Sequence, residues 1–254
     1  MSSPLRAVIF DVDGTLVDSE RHGHRVAFNR AFEAFDLPYE WDEDLYGELL
    51  HTTGGQRRID GYLADQGVAE SERGELAPAL HKRKTEILEE MVDAGAIEVR
   101  PGAARLLDEL GHEGVRRAVG TTGSRRWVER LLRRMLAGVT WEVIVAGDDV
   151  TNRKPDPEVF LTAVEKLGLD GPREVVVIED SIEGLRAAQA AGLRCVVVVN
   201  GYTADHDLAG ADLVLDGFGE PGAPAKVVDD PHQTGCDGIL TPAVLRTLLQ
   251  DGSR

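Results

Sequence analysis

Six short runs of apolar, mostly β-branched residues recur along the chain, at positions 7–10, 115–119, 143–146, 175–178, 195–199 and 213–215, and each gives way to polar or turn-forming residues. Continuous apolar runs bounded by turn signals predict strands covered on both faces, because only a strand with no solvent-facing side dispenses with alternation. From position 99 onward these runs alternate with segments 102–111, 127–136, 157–167 and 181–191, whose apolar residues fall at helical spacing. Gly168 and Gly192 stand where two of those helices would be capped. Strand and helix in repetition predict an α/β fold, a Rossmann-like parallel sheet with helices on both faces. Such a sheet gathers its functional groups at the carboxyl ends of its strands.

Positions 19–96 break the pattern. They hold no strand-like run, while Phe28, Ala31, Phe32 and Phe35 form one helical stripe and Leu76, Leu80, Ile87 and Met91 form another. This predicts an all-helical domain, 19–96, inserted after the first strand of an α/β core made of 1–18 and 97–254. The insertion leaves just after the turn at Asp11 and returns at Val99-Arg100-Pro101-Gly102. Positions 219–238, rich in Gly and Pro, predict an irregular tail.

Composition narrows the function classes. A chain of 254 residues, 42% apolar and 29% charged, can build a substantial core and has the balance of a soluble enzyme. A net charge of −17 argues against nucleic acid as a partner, since phosphate-backbone binding needs a broad basic surface. An anionic small substrate would need a locally positive pocket, which singles out Arg57 with Arg58, His81 to Lys84, Arg125 with Arg126, and Lys154. The apolar runs are too short to span a bilayer and no signal-peptide core precedes Asp11, so a cytoplasmic monomer without a membrane partner is expected. Cys195 in a strand and Cys236 in the tail lack metal-ligand spacing and are expected to be free thiols.

Four strand ends carry groups of chemical interest. The first strand runs into Asp11-Val12-Asp13-Gly14-Thr15; if the chain stays extended past Phe10, Asp11 and Asp13 point to one spot while Val12 turns away, and Gly14 permits a sharp turn. The second runs into Thr121-Thr122-Gly123-Ser124, the third leads through Gly147-Asp148-Asp149 to Lys154-Pro155, and the fourth runs into Glu179-Asp180-Ser181, where Ser181 also suits a helix N-cap. A carboxylate nucleophile, a hydroxyl, an ammonium and a second acidic pair suit attack on a phosphoryl group. A phosphate about 4 Å from a carboxylate meets repulsion of roughly 4 kcal/mol per unit-charge pair at an effective dielectric near 20. Mg²⁺ held by Asp11, Asp180 and a backbone carbonyl would offset it, with Asp13 also a candidate metal residue and Glu179 behind them. Lys154 would neutralise one phosphate oxygen, Thr121 would donate to another, and Asp13 would protonate the leaving oxygen.

These four motifs resemble those of the haloacid dehalogenase-type phosphohydrolase superfamily, whose helical cap sits between the first motif and the rest. Through Glu20, Gly23-His24-Arg25, positions 45–50, Thr52-Thr53-Gly54-Gly55-Gln56, His81 to Thr85 and Ala146-Gly147-Asp148, the chain is similar to the CbbY-like group, xylulose-1,5-bisphosphate phosphatases that remove an inhibitor of the carbon-fixing enzyme Rubisco. The similarity covers nearly the whole chain. It implies Mg²⁺-dependent hydrolysis through an aspartyl phosphate, with Asp11 the nucleophile and Asp13 the acid-base. It further implies that Glu20, His24, Tyr46, Thr52, Thr53, Gly54, Gly55, Gln56, Arg57, His81, Lys82, Arg83 and Lys84 grip the sugar and its distal phosphate, and that Thr121, Thr122, Gly123, Ser124 and Arg125, on to Trp127, line the transferred one. Two departures bear on specificity: Gln56 replaces the basic residue usual after the cap's Gly-Gly, and Arg125-Arg126-Trp127 is bulkier and more basic than usual. The same motifs fit a β-phosphoglucomutase-like phosphomutase or a broad-specificity sugar-phosphate phosphatase. A non-catalytic receiver-like domain is disfavoured, because it has no use for a helical insertion.

Overall fold

The computed structural model describes residues 5–52, 54–169 and 171–250. Among the described residues, seven strands form one sheet: β1 (Ala7–Phe10), β2 (Arg116–Gly120), β3 (Val143–Val145), β4 (Val175–Glu179), β5 (Arg194–Val198), β6 (Leu213–Leu215) and β7 (Val227–Asp229). Their order is β3-β2-β1-β4-β5-β6-β7, all parallel except β7, which runs antiparallel to β6. The α/β, Rossmann-like reading is thereby confirmed. β1 is central and every residue in it is fully buried, which is why its sequence does not alternate.

The chain divides into two compact units, Met1–Val17 with Val99–Arg254, and Asp18–Glu98. The second unit is helical: a π-helical turn at Glu20–His24 leads into α1 (Arg25–Ala34), followed by α2 (Glu43–Leu49), α3 (Gly55–Asp65) and α4 (Glu70–Asp93). Its core is aromatic. Trp41 packs on Phe28, Phe32 and Tyr62 with ring centroids 4.7, 5.0 and 5.3 Å apart, geometry in which rings add to the burial of their area. Asn29 pins the segment behind α1 by donating to the Trp41 carbonyl at 2.9 Å and accepting from its N–H at 2.8 Å.

The first unit adds α5 (Ala103–His112), α6 (Arg125–Met135), α7 (Glu158–Lys166), α8 (Ile182–Ala190) and α9 (Pro242–Gln250). Gly168 and Gly192 close α7 and α8 with φ of 61° and 72°. Three details depart from the sequence reading. Phe35 lies beyond the end of α1 and is 38% exposed, so the apolar stripe of that helix stops at Phe32. Positions 219–238 are not uniformly irregular, since β7 adds to the sheet edge and Arg105 of α5 donates to the carbonyls of Gly219 and Leu240, both at 3.0 Å. Helix α9, which the apolar pattern did not bring out, buries Val244, Leu245 and Leu248. Among the described residues, no helix is long and apolar enough to cross a membrane.

Candidate active site

Sheet register assembles the site. Phe10 is level with Val119 on one side and Ile178 on the other, so the next residue along each strand, Asp11, Gly120 and Glu179, forms a row at the carboxyl end. Lys154 reaches this row from the loop before α7: its Nζ donates to Asp11 Oδ1 at 2.6 Å, Gly120 O at 2.8 Å and Glu179 Oε1 at 2.5 Å, and lies 4.9 Å above the Phe160 ring. Three donors of one ammonium thus meet three acceptors from three adjacent strands. The loop itself is set by Glu158, whose carboxylate accepts from the N–H groups of Thr151 and Asn152, both at 2.8 Å.

Glu179 is committed twice over. Its Oε2 accepts from Asp180 N, Ser181 N and Ser181 Oγ at 3.0, 3.2 and 3.0 Å, while Ser181 caps α8 by accepting from Gly184 N at 3.1 Å. A Cβ at Gly184 would come within 1.8 Å of the Glu179 carboxyl carbon, so glycine leaves the room this carboxylate occupies. Asp180 takes one donor per oxygen, Thr15 Oγ1 and Asn200 Nδ2, each at 2.8 Å. Gly14 turns at a φ of 83°, and a Cβ there would sit 2.5 Å from Asp180 Oδ2, so both backbone conformation and space require glycine. The Gly14 carbonyl is held by Arg100 Nη1 at 2.8 Å and Asn200 Nδ2 at 3.3 Å, and Arg100 also donates to the carbonyls of Val198 and Val199 at 2.8 and 2.7 Å. Neither Arg100 nor Asn200 carries a motif.

The electrostatics are those of crowded acids. Asp11, Glu179 and Asp180 can bring ligand oxygens within 4.8 Å of one another, and all three are buried. Burial, followed by the opposing pull of Lys154 and the push of Glu179, leaves the Asp11 carboxyl pushed up from 3.8 to about 7. Asp180 is likewise raised, first by burial and then by Glu179 and Asp11. Burial works against the Lys154 charge, but Asp11 and Glu179 outweigh it and its ammonium is held more firmly than usual. An all-oxygen, hard donor set with more negative than positive charge fits a divalent cation, which would relieve the repulsion. With Glu179 spent on Lys154 and on the turn into α8, Asp11 and Asp180 are the carboxylates able to hold such an ion. Asp13 is absent from this group of three: its carboxylate accepts from the Trp127 indole N–H, at 3.2 and 3.1 Å to its two oxygens.

At the end of β2, Thr121 is buried and accepts from Gly123 N at 3.2 Å, and Ser124 caps α6. Thr122 and Gly123 are half-buried beside it. Arg125, expected at the phosphate, is engaged elsewhere. Its guanidinium donates to Asp149, to Glu129 at 3.1 Å and to the carbonyl of Ile144 on the sheet-edge strand β3 at 2.9 Å, while its N–H binds Asp148 at 2.7 Å.

The helical unit has its own cluster, and helix geometry decides its membership. Four consecutive residues wrap most of the way around a helix, so His81 to Lys84 cannot face one way; residues three apart can. His81 is half-buried against Gly55, and Lys84 is buried with Nζ 2.9 Å from His24 Nδ1 and 4.8 Å from the Phe28 centroid. Burial, then Lys84 and His24, push the His81 pKa down. Lys82 is exposed, and Arg83 pairs with Glu86 and Glu90 of its own helix at 3.3 and 3.2 Å. Tyr46 donates to Glu20 at 2.6 Å and accepts from Arg58 at 3.3 Å, and Arg58 also donates to the Leu49 carbonyl at 2.9 Å. Arg58, rather than the exposed Arg57, is the buried arginine of α3, as its place four residues before Tyr62 on the apolar stripe would have indicated. Thr52 and Gln56 are exposed, Gly54 and Gly55 open α3, and Thr53 lies outside the described residues. Among the described residues of this unit, the buried charged side chains are Arg58 and Lys84, both basic.

A model of the haloacid dehalogenase-like hydrolases matches residues 5–192. The chain is 43% identical to a CBBY-like protein of Arabidopsis thaliana over 85% of this chain and 70% of that one. It is 33% identical to a phosphorylated carbohydrates phosphatase of Thermotoga maritima, over 84% of this chain and 91% of that one. Among solved structures, a CbbY variant from Rhodobacter sphaeroides in complex with xylulose-(1,5)bisphosphate superposes with a TM-score of 0.74 at 40% identity, covering 87% of this chain and 97% of that one. Sequence, fold and the four strand-end motifs agree, and the chain belongs to the haloacid dehalogenase-like hydrolases, as an enzyme of their CbbY-like group.

Proposed function

We propose that this enzyme is a Mg²⁺-dependent sugar-phosphate phosphatase that converts xylulose 1,5-bisphosphate to xylulose 5-phosphate and inorganic phosphate. The observation that carries the reading is the Lys154 ammonium seated between Asp11 and Glu179, which orients one buried carboxylate at a strand end and leaves its second oxygen for attack. Asp11 attacks phosphorus, the bond from phosphorus to the sugar oxygen breaks, and that oxygen takes a proton from Asp13. Asp13, now a carboxylate, takes a proton from water, whose oxygen attacks the same phosphorus; the bond to Asp11 breaks and phosphate leaves. Asp11 and Asp180 would hold Mg²⁺, which supplies positive charge beside the phosphate and the attacking carboxylate. Thr121 and the N–H groups of the turn before α6 hydrogen-bond the phosphate oxygens.

The choice of a bisphosphate rests on the helical unit. Lys84 and Arg58 are buried basic groups of the kind that holds a phosphate, and Glu20 can accept from a sugar hydroxyl. The bisphosphate named for the R. sphaeroides relative supports the same substrate. The test compares kcat/KM for xylulose 1,5-bisphosphate and glucose 6-phosphate with Mg²⁺, in wild type, Lys84→Ala and Asp11→Asn. The bisphosphate should be preferred in wild type, the preference should fall about 10-fold or more in Lys84→Ala through loss of a charge-assisted contact, and Asp11→Asn should be inactive. Equal efficiencies in wild type would point to a broad-specificity phosphatase, and an isomerised sugar phosphate as product would make the enzyme a mutase.

A further inference from the structure

Trp127 stands in the first turn of α6, immediately behind the turn that follows β2, and its N–H is the donor that Ser124 caps. Its side chain is nearly buried, at 8% exposure, and its indole N–H divides itself between the two oxygens of Asp13, at 3.2 and 3.1 Å. The turn backs onto this pair: a Cβ added to Gly123 would lie 3.3 Å from both Asp13 Oδ2 and Trp127 Cδ1. A carboxylate on a short side chain, held through both oxygens and walled by backbone, has few rotamers left.

We propose that Trp127 is a positioning residue for Asp13, fixing the carboxyl so that it meets the leaving oxygen and then the attacking water. The role deepens the acid-base reading of Asp13 and rests on it. An indole suits the task because it donates one hydrogen bond and neither accepts nor titrates, so it orients Asp13 without competing for the proton the reaction moves. Its role runs through Asp13, which distinguishes it from Thr121 and Lys154.

Leaving-group dependence separates this role from structural support. Phosphorylation of Asp11 by p-nitrophenyl phosphate needs no proton, because the nitrophenolate departs as an anion, whereas a sugar alkoxide must be protonated as its bond to phosphorus breaks. In Trp127→Phe, which keeps a ring and loses the donor, the burst of nitrophenolate should keep nearly its wild-type rate. Sugar-phosphate kcat should fall about 10- to 100-fold, the range of a hydrogen bond to a charged group, with KM little changed. Site-specific replacement by the benzothiophene analogue of tryptophan, which keeps the bicyclic shape without the N–H, should behave alike and covers the case in which phenylalanine disturbs folding. Equal loss with both substrates, or no loss with either, overturns the proposal. Asp13→Asn is the control: if it too lacks leaving-group dependence, the acid-base reading fails and the role of Trp127 with it.

Discussion

Replacing Lys154 by Met keeps the length of the side chain and removes its charge from a site in which only 6% of that side chain is exposed. With Nζ at 2.6 and 2.5 Å from two carboxylate oxygens, each contact represents about 6 kcal/mol of attraction at an effective dielectric near 20. Most of this offsets the burial of the charges, and breaking a buried pair by removing one partner costs about 3–5 kcal/mol. Without the ammonium, the carboxylates of Asp11, Glu179 and Asp180, whose oxygens lie within 4.8 Å, repel one another by about 3.5 kcal/mol per ionised pair. They escape by binding protons, which is easy at low pH and costs about 1.4 kcal/mol more for each pH unit above the unfolded pKa. The loss should therefore be small at pH 5 and reach about 3–5 kcal/mol at pH 8. Urea unfolding of wild type and Lys154→Met at both pH values, with a chelator present so that no cation replaces the ammonium, measures it. A loss of equal size at the two pH values, or none, would refute the view that Lys154 serves as the counter-charge of this cluster.

The metal-free wild type should itself lose stability as pH rises: the folded-state pKa of Asp11 is raised from 3.8 to about 7, so its contribution is fully present below 3.8 and gone above 7, and Asp180 acts in the same direction. Thermal unfolding in chelator between pH 5 and 8 checks this in a His81→Gln background, since the lowered pKa of His81 works in the opposite direction, with a divalent cation expected to flatten the slope; a stability that rises over this range contradicts it. Arg125→Ala should lower stability by about 1–2 kcal/mol, because a partly exposed guanidinium bonded to Asp149, Glu129 and the Ile144 carbonyl is lost. It should leave KM for a sugar phosphate within about twofold, and a large rise in KM would return Arg125 to the phosphate site.

The order of chemistry along the chain was legible from sequence because a parallel sheet leaves little freedom. Once apolar runs at 7–10, 115–119, 143–146 and 175–178 are read as adjacent parallel strands, Asp11, Thr121, Lys154 and Glu179-Asp180 must meet at one edge. What each group does there was not legible. That Glu179 is consumed by Lys154 and by the turn into α8, and that Asp13 leans on Trp127 while Asp11 faces Asp180, depends on register and on side-chain directions that no local pattern encodes. Arg100 and Asn200 went unread for a related reason. The groups they donate to are backbone carbonyls and a carboxylate at least 20 positions away in the chain, and a lone polar residue carries no periodicity.

In the helical unit, helix phasing sorts the basic residues onto different faces, and tertiary structure decided which face of each helix is buried. Phasing at 100° per residue sends Lys84 inward with His81 and turns Arg83 toward Glu86 and Glu90, and the same rotation buries Arg58 and exposes Arg57. The tail shows the opposite limit. β7 has three residues and exists because β6 offers it an open edge to pair with, so no composition within 219–238 could announce it. Sequence determined the elements whose apolar runs make their own case for burial; the structure alone decided which polar groups, with no such signal, would be brought within bonding distance, because that depends on packing between segments distant in the chain.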